Sequence, residues 1–177
     1  MGRLTFIIGG ARSGKSSLAQ EIAGRHGRRV AFVATGQARD VEMHRRIVRH
    51  TRSRPRHWKT FEEPREVAKL LKKISGDFDC IIIDCVTLLL SNLLLEGTSP
   101  ASIEKEIRGI CLALQKSSAE AVVVSNEVGW GIVPENALAR RFRDLSGRAN
   151  QIFAKEAHEV TVMFCGVPVT ITKKGSK

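Results

Sequence analysis

Aromatic residues are scarce in this chain, at 5% of 177 residues with no tyrosine among them. That shortage removes the stacking platforms on which binders of single-stranded nucleic acid depend. Long apolar runs are missing as well. The longest lie around Val86–Leu95 and Ala121–Val124, well short of the roughly 20 residues that cross a bilayer as a helix. No basic segment with a cleavage site precedes the first apolar stretch, so no export signal is expected and the expected compartment is the cytoplasm. The cysteines Cys80, Cys85, Cys111 and Cys165 form no C-x-x-C pair and are expected as buried, reduced thiols. There is no internal repeat, no low-complexity tract and no length for two well-cored domains.

Acidic residues are also in short supply: 18 Asp and Glu face 29 Lys and Arg, for a net charge of +11. Such a balance calls for an anionic partner, either nucleic acid or a polyphosphate ligand. The excess is concentrated. Arg39, Arg45, Arg46, Arg49, Arg52, Arg54, Arg56 and Lys59 are opposed only by Asp40 and Glu42, and His44, His50 and His57 fall in the same stretch. For most of these arginines a solvated helix face is explanation enough.

What the chain does have is Gly9-Gly10-Ala11-Arg12-Ser13-Gly14-Lys15-Ser16, which fits G-x-x-x-x-G-K-[ST]. The apolar run Leu4–Ile8 precedes it as a strand and a helical stretch from Ser17 to Ala23 follows. A strand, a glycine loop and a helix N-terminus together present backbone N–H groups to one point, where an anion is favoured. Lys15 can reach the β- and γ-phosphates of a nucleotide, and the Ser16 hydroxyl can ligate Mg²⁺. Asp84 closes the apolar run Cys80–Ile83, the position of a carboxylate that holds Mg²⁺ directly or through water; its competing role is a cap for the helix after it. Thr35-Gly36-Gln37 and Ser125-Asn126-Glu127 end two further apolar runs and belong to the same rim, where ligands of open α/β sheets bind.

Periodicity gives strands at Val30–Ala34, Cys80–Ile83 and Ala121–Val124, and a hairpin of Glu159–Phe164 with Val167–Ile171. Pro168 puts the last strand at a sheet edge. Helices are expected from Glu42 to about Pro55, from Pro64 with Val67, Leu70, Leu71 and Ile74 on one face, from Ser99-Pro100 with Ile103, Ile107, Ile110 and Leu114, and from near Pro134 toward His158. Alternation of this kind predicts an α/β fold of three layers, a P-loop (RecA-like) domain over residues 1–172 with a mostly parallel sheet and an antiparallel edge hairpin. Residues 173–177 are expected as a frayed tail.

Arginines within a turn or two of a histidine can bind a triphosphate around an imidazole, which is itself a competent nucleophile toward phosphorus. Spacing alone does not separate a nucleophilic His50 from a surface histidine. Longer motifs carry more. Ala34-Thr35-Gly36-Gln37 is followed by Glu42-Met43-x-x-Arg46-Ile47-x-x-His50, then Arg54-Pro55-x-His57-Trp58-x-Thr60. Asn126-Glu127-Val128-Gly129-x-Gly131-Ile132-Val133-Pro134 and Arg140-x-Phe142-Arg143-Asp144-x-x-Gly147-Arg148-x-Asn150-Gln151 come later. With the loop at 9–16, these resemble the bifunctional adenosylcobinamide kinase / adenosylcobinamide-phosphate guanylyltransferase family of cobalamin biosynthesis, over essentially the whole chain.

The resemblance implies two reactions: phosphorylation of adenosylcobinamide by ATP or GTP, and transfer of GMP from GTP to adenosylcobinamide phosphate through a guanylyl-histidine. His50 takes the position of the nucleophile; His57 belongs to the pattern without that role. Gly9, Gly10, Ala11, Arg12, Ser13, Gly14, Lys15, Ser16, Thr35, Gly36, Gln37, Thr51, Arg52, Ser53, Arg54, Glu62 and Asp84 take nucleotide-binding positions, with Ser16 and Asp84 toward Mg²⁺. The implied partners are the nucleotide and a corrinoid, with no nucleic acid and no membrane segment, in a homotrimer. Glu62 either accepts from the guanine or ribose, or caps the chain ahead of Pro64. Trp130 stands where a smaller apolar residue is expected, and either packs on the corrin ring or fills a gap. A nucleic-acid-coupled P-loop ATPase is the alternative that the charge keeps open.

Overall fold

The computed structural model describes residues 2–74 and 76–171; the expected tail at 173–177 and residue 172 of the expected domain lie outside them. Seven strands form one sheet in the order β3-β2-β4-β5-β1-β6-β7. They are β1 (Leu4–Gly9), β2 (Val30–Ala34), β3 (Lys59–Glu62), β4 (Cys80–Asp84), β5 (Glu120–Asn126), β6 (Glu159–Phe164) and β7 (Val167–Ile171). Every pairing is parallel except β6 with β7. The central strands β2, β4 and β5 read as continuous apolar runs because helices cover both sheet faces.

The two faces are covered unequally. Alternate residues such as Phe6, Val33, Ile81, Ile83 and Val123 turn to a core shared with α3 (Val67–Ile74), α4 (Val86–Leu95), α5 (Pro100–Lys116) and α6 (Ala137–Glu156). The residues between them, including Ile7, Phe32, Ile82 and Val122, face α1 (Lys15–His26) together with Trp58. Phe153 of α6 stacks on Phe6 of β1 at 5.7 Å between ring centroids, a fully buried pairing; burial of one such ring is worth about 3–5 kcal/mol against alanine.

Helix ends follow local chemistry. Ser99 Oγ accepts from Ser102 N ahead of Pro100, and Asn136 Oδ1 accepts from Ala139 N at the start of α6. The chain between Pro64 and α3 departs from expectation: the helix begins at Val67, the Glu63 carboxylate accepts from Arg65 N and Glu66 N in the turn before it, and Glu106 accepts from Ala68 N in its first turn. These bonds, and not Glu62, serve the N–H groups there among the described residues. Strand β3 was not foreseen, because its only half-buried residue is Phe61 and no apolar run marks it. Three cysteines are buried as expected, but Cys165 is exposed. It occupies the tight β6–β7 turn at φ 50°, where a side chain has only solvent to face. No helix among the described residues is long and apolar enough to cross a membrane.

Candidate active site

Strand β1 sits between β5 and β6, and its C-terminal end delivers the phosphate loop. Gly9 pairs with Met163, and a Cβ on Gly9 would lie 2.6 Å from the Met163 carbonyl oxygen, so only glycine fits. Arg12 (φ 57°) and Gly14 (φ 94°) are left-handed, the backbone state that brings successive N–H groups to converge on an anion. Helix α1 starts at Lys15 with no side-chain cap and no acidic residue in its first turn. Its free N–H groups and dipole thus favour a phosphate.

Lys15 is 7% exposed. Its Nζ donates to Gly10 O at 2.5 Å within the loop, with Ser13 Oγ at 3.5 Å. Burial pushes its pKa down, while Cys85 and Asp84 oppose the shift. Asp84 therefore acts on the Lys15 ammonium from the end of β4. The Cys85 thiol, buried and beside Asp84, is pushed up to about 11 and stays neutral.

Asp84 does not cap α4; the N-cap is Cys85. The segment is fixed instead by Thr35, whose hydroxyl donates to Cys85 O at 2.7 Å and accepts from Cys85 N at 2.9 Å. Thr35 is fully buried, so its side chain positions Asp84 from below rather than meeting a ligand. Asn92 Nδ2 donates to Thr35 O and Pro64 O. Asn126 Nδ2 donates to Thr87 Oγ1 at 2.6 Å, and Asn150 joins Ser125 Oγ to Asn126 O. This polar layer locks the ends of β2, β4 and β5 together. Thr87 and Asn92 were missed in the sequence, although buried polar residues inside the apolar helix Val86–Leu95 are the signal.

Gly36 and Gln37 follow Thr35 on the rim. A Cβ on Gly36 would lie 3.2 Å from Leu88 and 3.7 Å from Ile47, which shows how α2 (Val41–Arg52) leans on the sheet. Asp40 accepts from Met43 N to start α2, and no residue of α2 is buried. His50, three residues after Ile47, shares the stripe of α2 that rests over Gly36. It is exposed, its carbonyl accepts from Ser53 Oγ at 2.9 Å, and no hydrogen bond or ion pair among the described residues joins its side chain to the phosphate loop. Thr51, Arg52 and Ser53 are exposed too.

Arg54 differs from every other arginine in the basic stretch. It is half-buried, with its guanidinium 3.7 Å from the centroid of the Phe32 ring and Nη1 donating to Thr60 Oγ1. Its buried Nε has no partner. Burial pulls its pKa down against the pull of Asp84 and Glu62, so all three charges share the rim between β2, β3 and β4. Arg39, Arg45, Arg46, Arg49, Arg52 and Arg56 are exposed.

A Mg²⁺ ion here would find the Ser16 hydroxyl and the half-buried Asp84 carboxylate as donors. No group of three or more His, Cys, Asp or Glu among the described residues could cage a metal ion. One carboxylate and one hydroxyl suit Mg²⁺, which keeps waters and shares its remaining positions with substrate phosphates.

Residues 5–171 match the family described as cobinamide kinase / cobinamide phosphate guanyltransferase. The bifunctional adenosylcobalamin biosynthesis protein CobP of Pseudomonas aeruginosa is 41% identical over 166 residues, covering 94% of this chain and 95% of that protein. The proteins of the same description called CobU are 39% identical in Salmonella typhimurium and 37% in Escherichia coli, each over 180 residues, 95% of this chain and 99% of theirs. Among solved structures, the RadB recombinase superposes with a TM-score of 0.54 at 16% identity, over 91% of this chain and 74% of that one. The flagellar accessory protein FlaH of Methanocaldococcus jannaschii does so at 0.52 and 15%, over 94% and 75%. At such identities the likeness speaks of the fold alone, a RecA-like P-loop fold.

Proposed function

The chain belongs to the cobinamide kinase / cobinamide phosphate guanyltransferase family, and we propose that one domain, residues 1–172, runs both reactions at the rim formed by the ends of β1, β2 and β4. The enzyme is a cobinamide kinase and cobinamide phosphate guanylyltransferase of adenosylcobalamin biosynthesis, with ATP or GTP as nucleotide substrates. The observation that carries the site is the buried Lys15 amine folded onto its own loop with Asp84 in electrostatic reach.

In the kinase step, backbone N–H groups of residues 9–16 and the α1 dipole hold the β- and γ-phosphates. Lys15 offsets the charge spread over the γ-phosphoryl oxygens as it moves to the aminopropanol hydroxyl of adenosylcobinamide. Ser16 and Asp84 would hold a Mg²⁺ ion, which would further neutralise the phosphates. In the guanylyl step a ring nitrogen of His50 attacks the α-phosphorus of GTP, and the bond to the β-phosphate bridging oxygen breaks to release pyrophosphate. A phosphate oxygen of adenosylcobinamide phosphate then attacks the same phosphorus and frees the histidine. Gly36, Gln37, Thr51, Arg52, Ser53, Arg54 and Glu62 surround the nucleotide, and Thr35 works through the Asp84–Cys85 backbone. Within the basic stretch, Arg54 is the arginine best suited to a phosphate, since its buried Nε awaits a partner.

The protein works as a cytoplasmic homotrimer, without nucleic acid. Strand β7 supports self-association: Val167, Val169 and Ile171 are exposed on an edge strand, which in a monomer invites pairing. The test is transfer to acceptor: label from γ-labelled ATP should reach adenosylcobinamide, and label from α-labelled GTP should reach adenosylcobinamide phosphate. Nucleotide hydrolysis stimulated by DNA or RNA, without either transfer, would overturn this reading in favour of the ATPase alternative.

A further inference from the structure

Trp130 is 71% exposed and lies on Phe164, itself 47% exposed, with centroids 5.5 Å apart and planes 20° from parallel. Of the ring pairs among the described residues, it alone has both rings exposed. Leaving two large rings in water is costly, and a flat apolar surface of this kind marks a contact site.

Its place in the fold narrows the occupant. Trp130 comes from the loop after β5 and Phe164 from the end of β6, the two strands flanking β1. The rings therefore meet across the strand that delivers the phosphate loop. Both ends are tied to that loop. Glu127 N donates to Gly9 O at 3.0 Å and Gly166 N to Ser13 O at 3.2 Å, while Met163 approaches the Cβ position of Gly14. The Glu127 carboxylate accepts from Gly129 N at 2.6 Å and folds the loop back on itself. Val128, Ile132 and Val133, in the same loop as Trp130, are exposed as well.

We propose that the Trp130–Phe164 plate is the docking surface for the macrocycle of the corrinoid acceptor. This rests on the transferase reading above. An acceptor whose hydroxyl or phosphate must reach a phosphorus held at residues 9–16 has to lay its bulk against what borders that loop. A broad macrocycle with apolar faces matches the exposed face of a ring stacked on a second ring and their aliphatic margin, as a base matches an aromatic platform. The nucleotide lies toward β2 and β4, so the plate on the β5 and β6 side leaves the acceptor its own surface. The competing occupant is a second copy of this chain, since Val167 of the exposed β7 edge pairs with Phe164 across the hairpin; the oligomeric state of the variants tells the two apart.

Equilibrium dialysis with adenosylcobinamide, read by corrinoid absorbance, gives the affinities; steady-state kinetics give KM for GTP, and light scattering gives the oligomeric state. Trp130→Ala should raise the corrinoid Kd about tenfold or more, with Trp130→Phe recovering most of the loss. KM for GTP should move less than twofold in both variants. Unchanged corrinoid affinity in Trp130→Ala, with binding by the parent intact, would overturn the plate alone. So would a changed oligomeric state without a change in corrinoid affinity. No corrinoid binding by the parent would overturn the transferase reading and the plate with it.

Discussion

The phosphate loop and helix α2 carry the two nitrogens assigned to chemistry, and the fold holds them in opposite ways. Lys15 is buried at a strand–helix junction, bonded to its own loop, and backed by a polar layer in which Thr35, Thr87, Asn92 and Asn126 all have partners. His50 rides on a twelve-residue helix with no buried residue, resting on the rim through Ile47 over Gly36. A cation that stabilises a transferring phosphoryl group acts best when preset in a low-dielectric site. A nucleophile that must first accept GMP and then surrender it to a bulky acceptor gains from a helix whose displacement exposes no core. The contrast between the two regions therefore matches the contrast between one-step phosphoryl transfer and two-step guanylyl transfer.

The widest gap should appear in catalysis. Lys15→Ala is expected to lower the kinase rate on the order of 10²-fold or more, because it removes a preset charge at the transferring group; transfer from γ-labelled ATP measures it, and a loss under about threefold would detach the kinase from the loop. Asp84→Asn is expected to raise the Mg²⁺ concentration for half-maximal kinase rate by about tenfold or more, read by Mg²⁺ titration. An unchanged titration would take Asp84 out of the metal site.

Stability should divide the regions as well. Thr35→Val leaves the buried Cys85 N without its partner, while Cys85 O keeps Leu89 N, and is expected to cost about 1–3 kcal/mol, measured by urea unfolding. Val48→Ser and Arg45→Ala on α2 should stay within about 0.5 kcal/mol of the parent. Equal losses at both places would mean that α2 is as firmly built into the fold as the loop.

How far the sequence disclosed this arrangement differs by region for the same physical reasons. The phosphate loop, β2 and β4 were legible because burial on both faces writes continuous apolar runs, and because Gly9, Gly14 and Lys15 are constrained by backbone geometry; the C-terminal hairpin was legible from two β-branched runs flanking Cys165-Gly166, although all of β7 is exposed. Strand β3 was not legible. Lys59, Thr60 and Glu62 are exposed, and the strand exists through its pairing with β2. The motif put Thr35 on the rim but not beneath it, since only the fold brings Cys85 to its hydroxyl. Arg54 was one arginine among many until burial and Phe32 set it apart. Trp130 looked out of pattern because its stacking partner Phe164 comes from a different strand. His50 drew its role from the family motif, and its exposed position on α2 shows why spacing alone left it open.

The most direct measurement follows label from α-labelled GTP onto the protein in parent and His50→Ala, with kinase rates taken from the same preparations. The parent should carry acid-labile, base-stable label; His50→Ala should carry none while its kinase rate stays within about threefold, as expected when the nucleophile sits on a helix apart from the buried phosphate cradle. Full labelling of His50→Ala would contradict the assignment of the nucleophile to α2.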